Sequence, residues 1–287
     1  MPTTRPRLAP STRRCAASYD AAAAKYRDWW APVIAPAALA LVDEVAPLLD
    51  AAPRARVVDV GTGTGALALA IRRRWDEAEV IGIDASNGIL DLARSAAAAL
   101  DGSGELVQFL EGDAMALPLP DATVDVVVSS FVVQLVASRA RALREALRVL
   151  RPGGVAAVVT WQADREHFEP DAIFDDVADE LDLELPPPGR DPRPFPGPAS
   201  AAREFRRAGF RQVRARTTWL EHRFTPRGYL DVLEHWYEDA LFERLGDRRR
   251  ARVRRTLLER LERLERVAPD DLVWRRPLVV VEGRRLD

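Results

Sequence analysis

Residues 57–71 read VVDVGTGTGALALAI, and no other stretch restricts the chain as much. An apolar run carrying one acid meets three glycines on alternate positions, Gly61, Gly63 and Gly65, and an apolar helical stretch follows at once. Glycine enters left-handed backbone without a Cβ clash, so the chain can bend sharply there and pack closely against a neighbour. A strand that turns this way into a helix is expected to bring backbone N–H groups and a positive helix end to a ligand.

The surrounding sequence repeats the strand-then-helix theme. Strands are expected at 55–60, 79–84, 106–111, 124–129 and 155–162, with helices at 64–74, 86–100 and 138–150 between them. VDVVVSS is nearly all apolar, as a parallel strand covered on both faces must be. The third helix ends at LRPGG, where Pro152 cannot continue a helix and Gly153 and Gly154 permit the turn. The pattern is a doubly wound α/β sheet.

Two stretches break the alternation. Residues 163–200 hold an acidic helix near 171–183 and the proline-rich connection PPPGRDPRPFPGP. Residues 226–268 give two long helical segments between a strand near 211–220 and a final strand near 273–283, and are lid candidates. The expected organisation is a disordered tail over 1–17, a helical cap over 18–50 and a cofactor-binding core over 51–162. An insertion over 163–200 follows, then a C-terminal part of the sheet over 201–287 carrying the lid 226–268.

Forty-two basic residues face 44 acidic ones, so the composition gives no general nucleic-acid binder. Lys25 is the only lysine, and an arginine cluster therefore means less than usual. RLGDRRRARVRRTLLERLERLER (244–266) reads as a solvated amphipathic helix, with Leu257, Leu258, Leu261 and Leu264 on one stripe. Cys15 is the single cysteine, which excludes an internal disulfide and a multi-cysteine zinc site. No apolar run reaches membrane-spanning length. A cytoplasmic monomer or homodimer, without nucleic acid or a structural metal, is the expectation.

The ligand of the glycine turn is not settled by the turn. GTGTGA also satisfies G-x-G-x-x-A, and Asp84, closing VIGID, suits a ribose in a dinucleotide as well as in other nucleosides. No lysine follows the glycines, so a P-loop is excluded. Three further features separate the readings. Asp59 precedes the first glycine by two residues; EGDAMALPLPDATVDVVVSSFVVQLV sets Asp113 and Ala114 after the third strand; LREALRVLRPGGVAAVVTW closes the series. In this order and spacing the segment 55–162 resembles the class I S-adenosylmethionine-dependent methyltransferases, in the branch of small-molecule and quinone-biosynthesis enzymes.

The resemblance implies a Rossmann-like methyltransferase fold, with a mostly parallel seven-stranded sheet and helical lid insertions. It implies S-adenosyl-L-methionine as methyl donor and S-adenosyl-L-homocysteine as product. Gly61, Thr62, Gly63 and Gly65 would wrap the methionine tail, with Asp59 either near its ammonium group or capping the turn. Asp84, with Ala85 beside it, would accept both ribose hydroxyls. Asp113 and Ala114 would meet the adenine, and Ser130 and Phe131 the methionine end. Tyr19 or Tyr26, in the N-terminal cap, would reach the methionine carboxylate.

SSFV stands where methyltransferases acting on bases or amides carry D/N-P-P-Y/F, and no cysteine follows the strand. The expected acceptor is therefore a small molecule with an oxygen, carbon or nitrogen nucleophile. Gln134 stands where many relatives have a histidine, and an amide can orient a substrate but not deprotonate it. Residues 217–242 concentrate Trp219, His222, Tyr229, His235, Trp236 and Tyr237. Trp219, Tyr229 and Trp236 are acceptor-pocket candidates, and His235 and His222 are candidate bases, each against the alternative of an aromatic stripe packed on the sheet. Two other functions stay open on the sequence: an NAD(P)-dependent oxidoreductase and a non-catalytic cofactor-binding module.

Overall fold

The computed structural model describes residues 8–101, 107–164, 167–186 and 193–286. Seven strands form one sheet in the order β3-β2-β1-β4-β5-β7-β6. They are β1 (Arg56–Val60), β2 (Glu79–Asp84), β3 (Gln108–Glu111), β4 (Val124–Ser130), β5 (Leu150–Trp161), β6 (Arg211–Arg223) and β7 (Val273–Arg284). β1 to β5 run parallel, whereas β7 is antiparallel to both β5 and β6. A dinucleotide-binding sheet instead has six parallel strands in the order 3-2-1-4-5-6. The antiparallel β7 wedged between β5 and β6 departs from that plan.

Residue alternation along the strands assigns the two faces. Val57, Val80, Val126 and Val128 pack against α5 (Ala66–Arg74), α6 (Asn87–Asp101) and the helices of the N- and C-terminal parts. Val58, Ile81, Ile83 and Val127 pack against α7 (Arg139–Val149) and α9 (Pro198–Ala208). Each fully buried aliphatic side chain contributes about 1.5–3 kcal/mol. The strand order reverses between β1 and β4, and ligands of open α/β sheets bind outside the strand carboxyl ends at that switch point. The glycine turn leaves β1 there.

Several elements differ from the sequence expectations. The expected disordered tail is corrected over its later part, because α1 (Pro10–Ala21) is a helix; residues 1–7 lie outside the described residues. Next come α2 (Ala23–Lys25), a π-helical turn (Tyr26–Trp30), α3 (Ala31–Leu39) and α4 (Leu41–Ala51). β5 begins at Leu150 rather than 155, because Leu150 already pairs with Val124. The acidic helix α8 spans Glu169–Glu180. The two expected long helices of 226–268 are instead α10 (Pro226–Val232), a second π turn (Leu233–Tyr237), α11 (Asp239–Arg244) and α12 (Asp247–Val267).

Part of the basic face of α12 is engaged in internal contacts, while Arg248, Arg252, Arg255, Arg263 and Arg266 are exposed. Arg250 and Arg254 flank the buried carboxylate of Glu234, Arg260 pairs with Glu180, and Arg249 caps the carbonyls of Leu181 and Asp182. Its apolar stripe, Val253, Leu257, Leu261 and Leu264, is buried. Among the described residues no single helix is long and apolar enough to cross a membrane.

Candidate functional site

Gly61, Gly63 and Gly65 have φ values of +72°, +58° and +83°, left-handed backbone that L side chains rarely adopt. A Cβ on Gly61 would lie 2.0 Å from Cγ2 of Val132, and one on Gly63 would lie 3.4 Å from the Tyr26 hydroxyl. The expectation that the turn offers its N–H groups to a ligand is corrected for Gly61, Thr62, Gly63 and Gly65. Gly61 N–H and Thr62 N–H both donate to the Ile83 carbonyl at 2.7 and 3.0 Å, and Gly65 N–H donates to Thr62 O. Gly63 N–H donates to Asp84 Oδ2 at 3.0 Å. The turn therefore presents bare Cα atoms to the cavity, a cradle that a side chain would fill.

Asp84 ends β2 facing that cradle. Its second oxygen, Oδ1, accepts from Ser86 N–H at 3.0 Å. Both carboxylate oxygens thus hold backbone donors, and the carboxylate retains acceptor capacity for ligand hydroxyls. Burial raises its pKa, opposed by the N–H groups of Ser86, Gly63 and Ala85.

Asp59 lies beneath the turn, 1 % exposed, and accepts from Thr62 Oγ1 at 2.8 Å. It does not line the cavity, which favours its capping role. Burial lifts its pKa to about 7, assisted by the charge of Asp84 and opposed by the Thr62 hydrogen bond. Because the folded value exceeds the unfolded one, this group favours the fold below the unfolded pKa and loses that contribution as pH rises through about 7. Asp59→Asn keeps an acceptor for Thr62 and removes the titration. We expect its melting temperature to exceed the wild type's at pH 8 and to match it at pH 4, as read by thermal scans; a difference independent of pH would contradict the assignment.

Asp113 and Ala114 follow β3, and helix α1 closes on them. Asp113 Oδ2 accepts from Thr12 Oγ1 at 2.7 Å and from Ala9 N–H at 3.2 Å, while Oδ1 accepts from Met115 N–H at 2.8 Å. At its other end α1 is tied by Asp20, whose Oδ1 accepts from Ser86 Oγ and Gly88 N–H at 2.5 and 2.8 Å. Thr12 and Cys15 thereby enter the cavity wall. Nothing in the Arg- and Pro-rich tail signalled this, because the contacts span about a hundred residues of chain.

These elements enclose a cavity of about 290 Å³. Gly61, Gly63, Asp84, Ala85, Asp113, Ala114, Ser130, Phe131, Tyr19 and Tyr26 all line it, whereas Asp59, Thr62 and Gly65 support it from behind. Phe131 sits at φ +56°. Gln134 holds it there: its Nε2 donates to the Phe131 carbonyl at 2.6 Å, and its Oε1 accepts from Thr160 Oγ1 at 2.5 Å. Gln134 also lines the cavity, and through these two bonds its amide positions the loop that carries Phe131.

Of the other acceptor candidates only Trp236 lines the cavity, joined by Trp30 and Trp161, which the sequence reading did not place there. Trp161 closes β5, and its position at a strand carboxyl end was the available signal. Trp219 lies on β6 in a separate surface groove with Pro36 and Glu44. Tyr229 is buried and donates to Asp171 at 2.7 Å. The candidate bases are likewise elsewhere. His222 packs edge-on to Phe224 and burial lowers its pKa, while His235 stacks on Trp29 at 4.7 Å and its Nδ1 donates to the Asp231 carbonyl. His222→Ala and His235→Ala are expected to keep cofactor affinity and turnover within about twofold while His235→Ala loses about 1 kcal/mol of stability; a selective fall in kcat would reinstate either as a base.

Asp231, Glu234 and His235 have potential ligand atoms within 4.8 Å of one another. Arg254 faces both carboxylates and Arg250 the second, so the cluster is an ion-paired joint and two guanidinium charges oppose a metal cation there.

The family model for the methyltransferase domain matches residues 58–158. Over 182 residues the chain is 35 % identical to a ubiquinone/menaquinone biosynthesis C-methyltransferase of Dinoroseobacter shibae, covering 58 % of this chain and 70 % of that protein. It is 44 % identical over 113 residues to a demethylmenaquinone methyltransferase of Thermus thermophilus, covering 39 % of this chain and 50 % of that protein. The chain belongs to the class I S-adenosylmethionine-dependent methyltransferases, in the small-molecule branch. It spans about half the length of several curated relatives it matches. The crystal structure of the 4+2 cyclase SpnF superposes with a TM-score of 0.60 at 22 % identity, covering 96 % of this chain and 97 % of that one, a likeness of fold.

Proposed function

We propose that the chain binds S-adenosyl-L-methionine and transfers its methyl group by in-line displacement to an O, C or N atom of a small-molecule acceptor, releasing S-adenosyl-L-homocysteine. The observation that carries this reading is the convergence on one cavity of the bare glycine cradle after β1, the Asp84 carboxylate after β2 and Asp113 after β3. The donor set suits the group: two carboxylates for ribose hydroxyls and an adenine amino group, and tyrosine hydroxyls for an amino-acid carboxylate. The bound cofactor supplies an electrophilic methyl group on a sulfonium. The relatives named above are methyltransferases, and neither they nor the antiparallel β7 favour the oxidoreductase reading.

Residues of the chain act by holding and enclosing. Asp84 would accept the ribose hydroxyls through the lone pairs its backbone donors leave free. Asp113 would share its carboxylate between Thr12 and the adenine amino group, coupling closure of α1 to occupation of the site. Tyr19 and Tyr26, both kept protonated by burial, would donate to the tail carboxylate. Holding the acceptor in line with the methyl group can lower the barrier by about 7–11 kcal/mol. Titration calorimetry of the full chain tests the reading: S-adenosylmethionine and S-adenosylhomocysteine should bind and NAD should not. Binding of NAD alone would overturn it.

A further inference from the structure

An unbroken arc of rings crosses the cavity roof from the glycine cradle to the end of β4. Tyr26, beside Gly63, meets Trp236 at 5.6 Å; Trp236 stacks near-parallel with Trp30 at 6.2 Å; Trp30 meets Trp161 at 6.3 Å, and Trp161 meets Phe131 at 4.5 Å. The two π-helical turns set this arc, one carrying Tyr26 and Trp30 and the other Trp236. Lys25, just before the first turn, pairs with Asp239 and Glu243 of α11, just after the second, at 3.0 and 2.6 Å.

The charges of the wall are as informative as its rings. Among the described residues lining the cavity there is no Arg, Lys or His, in a chain with 42 basic residues, and the only carboxylates are Asp84 and Asp113. Asp84 stands by the glycine cradle at the Tyr26 end of the arc and Asp113 follows β3, whereas Trp30, Trp161 and Trp236 carry the rest of the wall. An anionic acceptor would be buried against rings with no cationic partner among the described residues of the wall. A cationic one would face the positive sulfonium, and like charges at close range repel strongly in a dry site. Among the described residues lining the cavity the arc offers no imidazole base, because His222 and His235 lie outside it and Gln134 carries an amide.

We infer that the acceptor is an uncharged aromatic molecule held on the Trp30–Trp161–Trp236 wall, and that it attacks through a neutral nitrogen lone pair, as an arylamine does. The inference rests on the methyltransferase reading. The nitrogen lone pair forms the new N–C bond, the S–C bond breaks with its electron pair kept by sulfur, and the N–H proton of the resulting cation leaves to solvent. No residue is asked to remove a proton before attack, whereas a phenol would need one removed.

Four naphthalenes that differ only in their substituent test this: aminonaphthalene, naphthol, naphthoate and protonated naphthylmethylamine. Each is titrated into the full chain loaded with S-adenosylhomocysteine, with tryptophan fluorescence and calorimetry as readouts, and each is then assayed with S-adenosylmethionine. The neutral pair should bind and the two charged ones should not, and Trp236→Ala should weaken binding about 10-fold. Aminonaphthalene should be N-methylated at a rate flat above neutral pH. Naphthol should react at least about 100-fold more slowly at pH 7 and gain with pH as it ionises. Preference for either charged compound, failure of aminonaphthalene to bind, or fast pH-independent naphthol methylation would overturn the inference. Cofactor binding measured on the same samples keeps that outcome separate from failure of the methyltransferase reading.

Discussion

Asp84→Ala is expected to lose about 100-fold or more in affinity for both S-adenosylmethionine and S-adenosylhomocysteine, since hydrogen bonds to a charged acceptor contribute about 1.5–3 kcal/mol each. Two losses combine. The ligand loses the acceptor of its ribose hydroxyls, and the backbone donors of Gly63 and Ser86 lose the oxygens that now fix the turn. The loss should be equal for both ligands, because they share the ribose and differ at sulfur. Calorimetry at constant pH reads the effect, and thermal scans verify that the variant is folded. Undiminished affinity in a folded Asp84→Ala protein would remove the nucleoside assignment of the whole cavity.

Gly61→Ala should be the most damaging single change in the turn. Its φ of +72° disfavours any Cβ, and that Cβ would sit 2.0 Å from Val132 Cγ2 and 3.1 Å from both Val132 Cβ and Cγ1. A rotamer change at Val132 cannot relieve contacts with all three atoms, so the loop after β4 must move, and Phe131 and Gln134 move with it. Destabilisation of about 3 kcal/mol is expected, combining backbone strain with overpacking. Cofactor affinity should fall as well, since Phe131 leaves its place. Adding Val132→Ala should recover part of the stability, because it removes both Cγ atoms but leaves the φ cost. Full recovery, or none, would show that the steric and backbone contributions have been misassigned.

The order of elements was legible in the sequence because its signals are local. VVDVGTGTGALALAI specifies strand, turn and helix through near-neighbour sterics, and β-branched runs specify buried parallel strands within a few residues of each boundary. The residues at the carboxyl ends of β1 to β4 were legible for the same reason: in a parallel sheet every such end faces one crevice. Position along the strand series, together with the resemblance to the methyltransferase family, brought Gly61, Asp84, Asp113 and Phe131 to one site.

The sequence by itself determined the α/β series, the glycine cradle and the carboxylates beside it. Only the tertiary structure decided that α1 latches onto Asp113 and that the Gly61 and Gly63 N–H groups turn inward to Ile83 and Asp84. It also placed His222 and His235 outside the cavity while Trp30, Trp161 and Trp236 share one wall. Helical periodicity tells which residues share a face but not what that face meets. Contacts between residues about a hundred or two hundred apart depend on how whole elements dock, and docking is set by packing summed over the entire core.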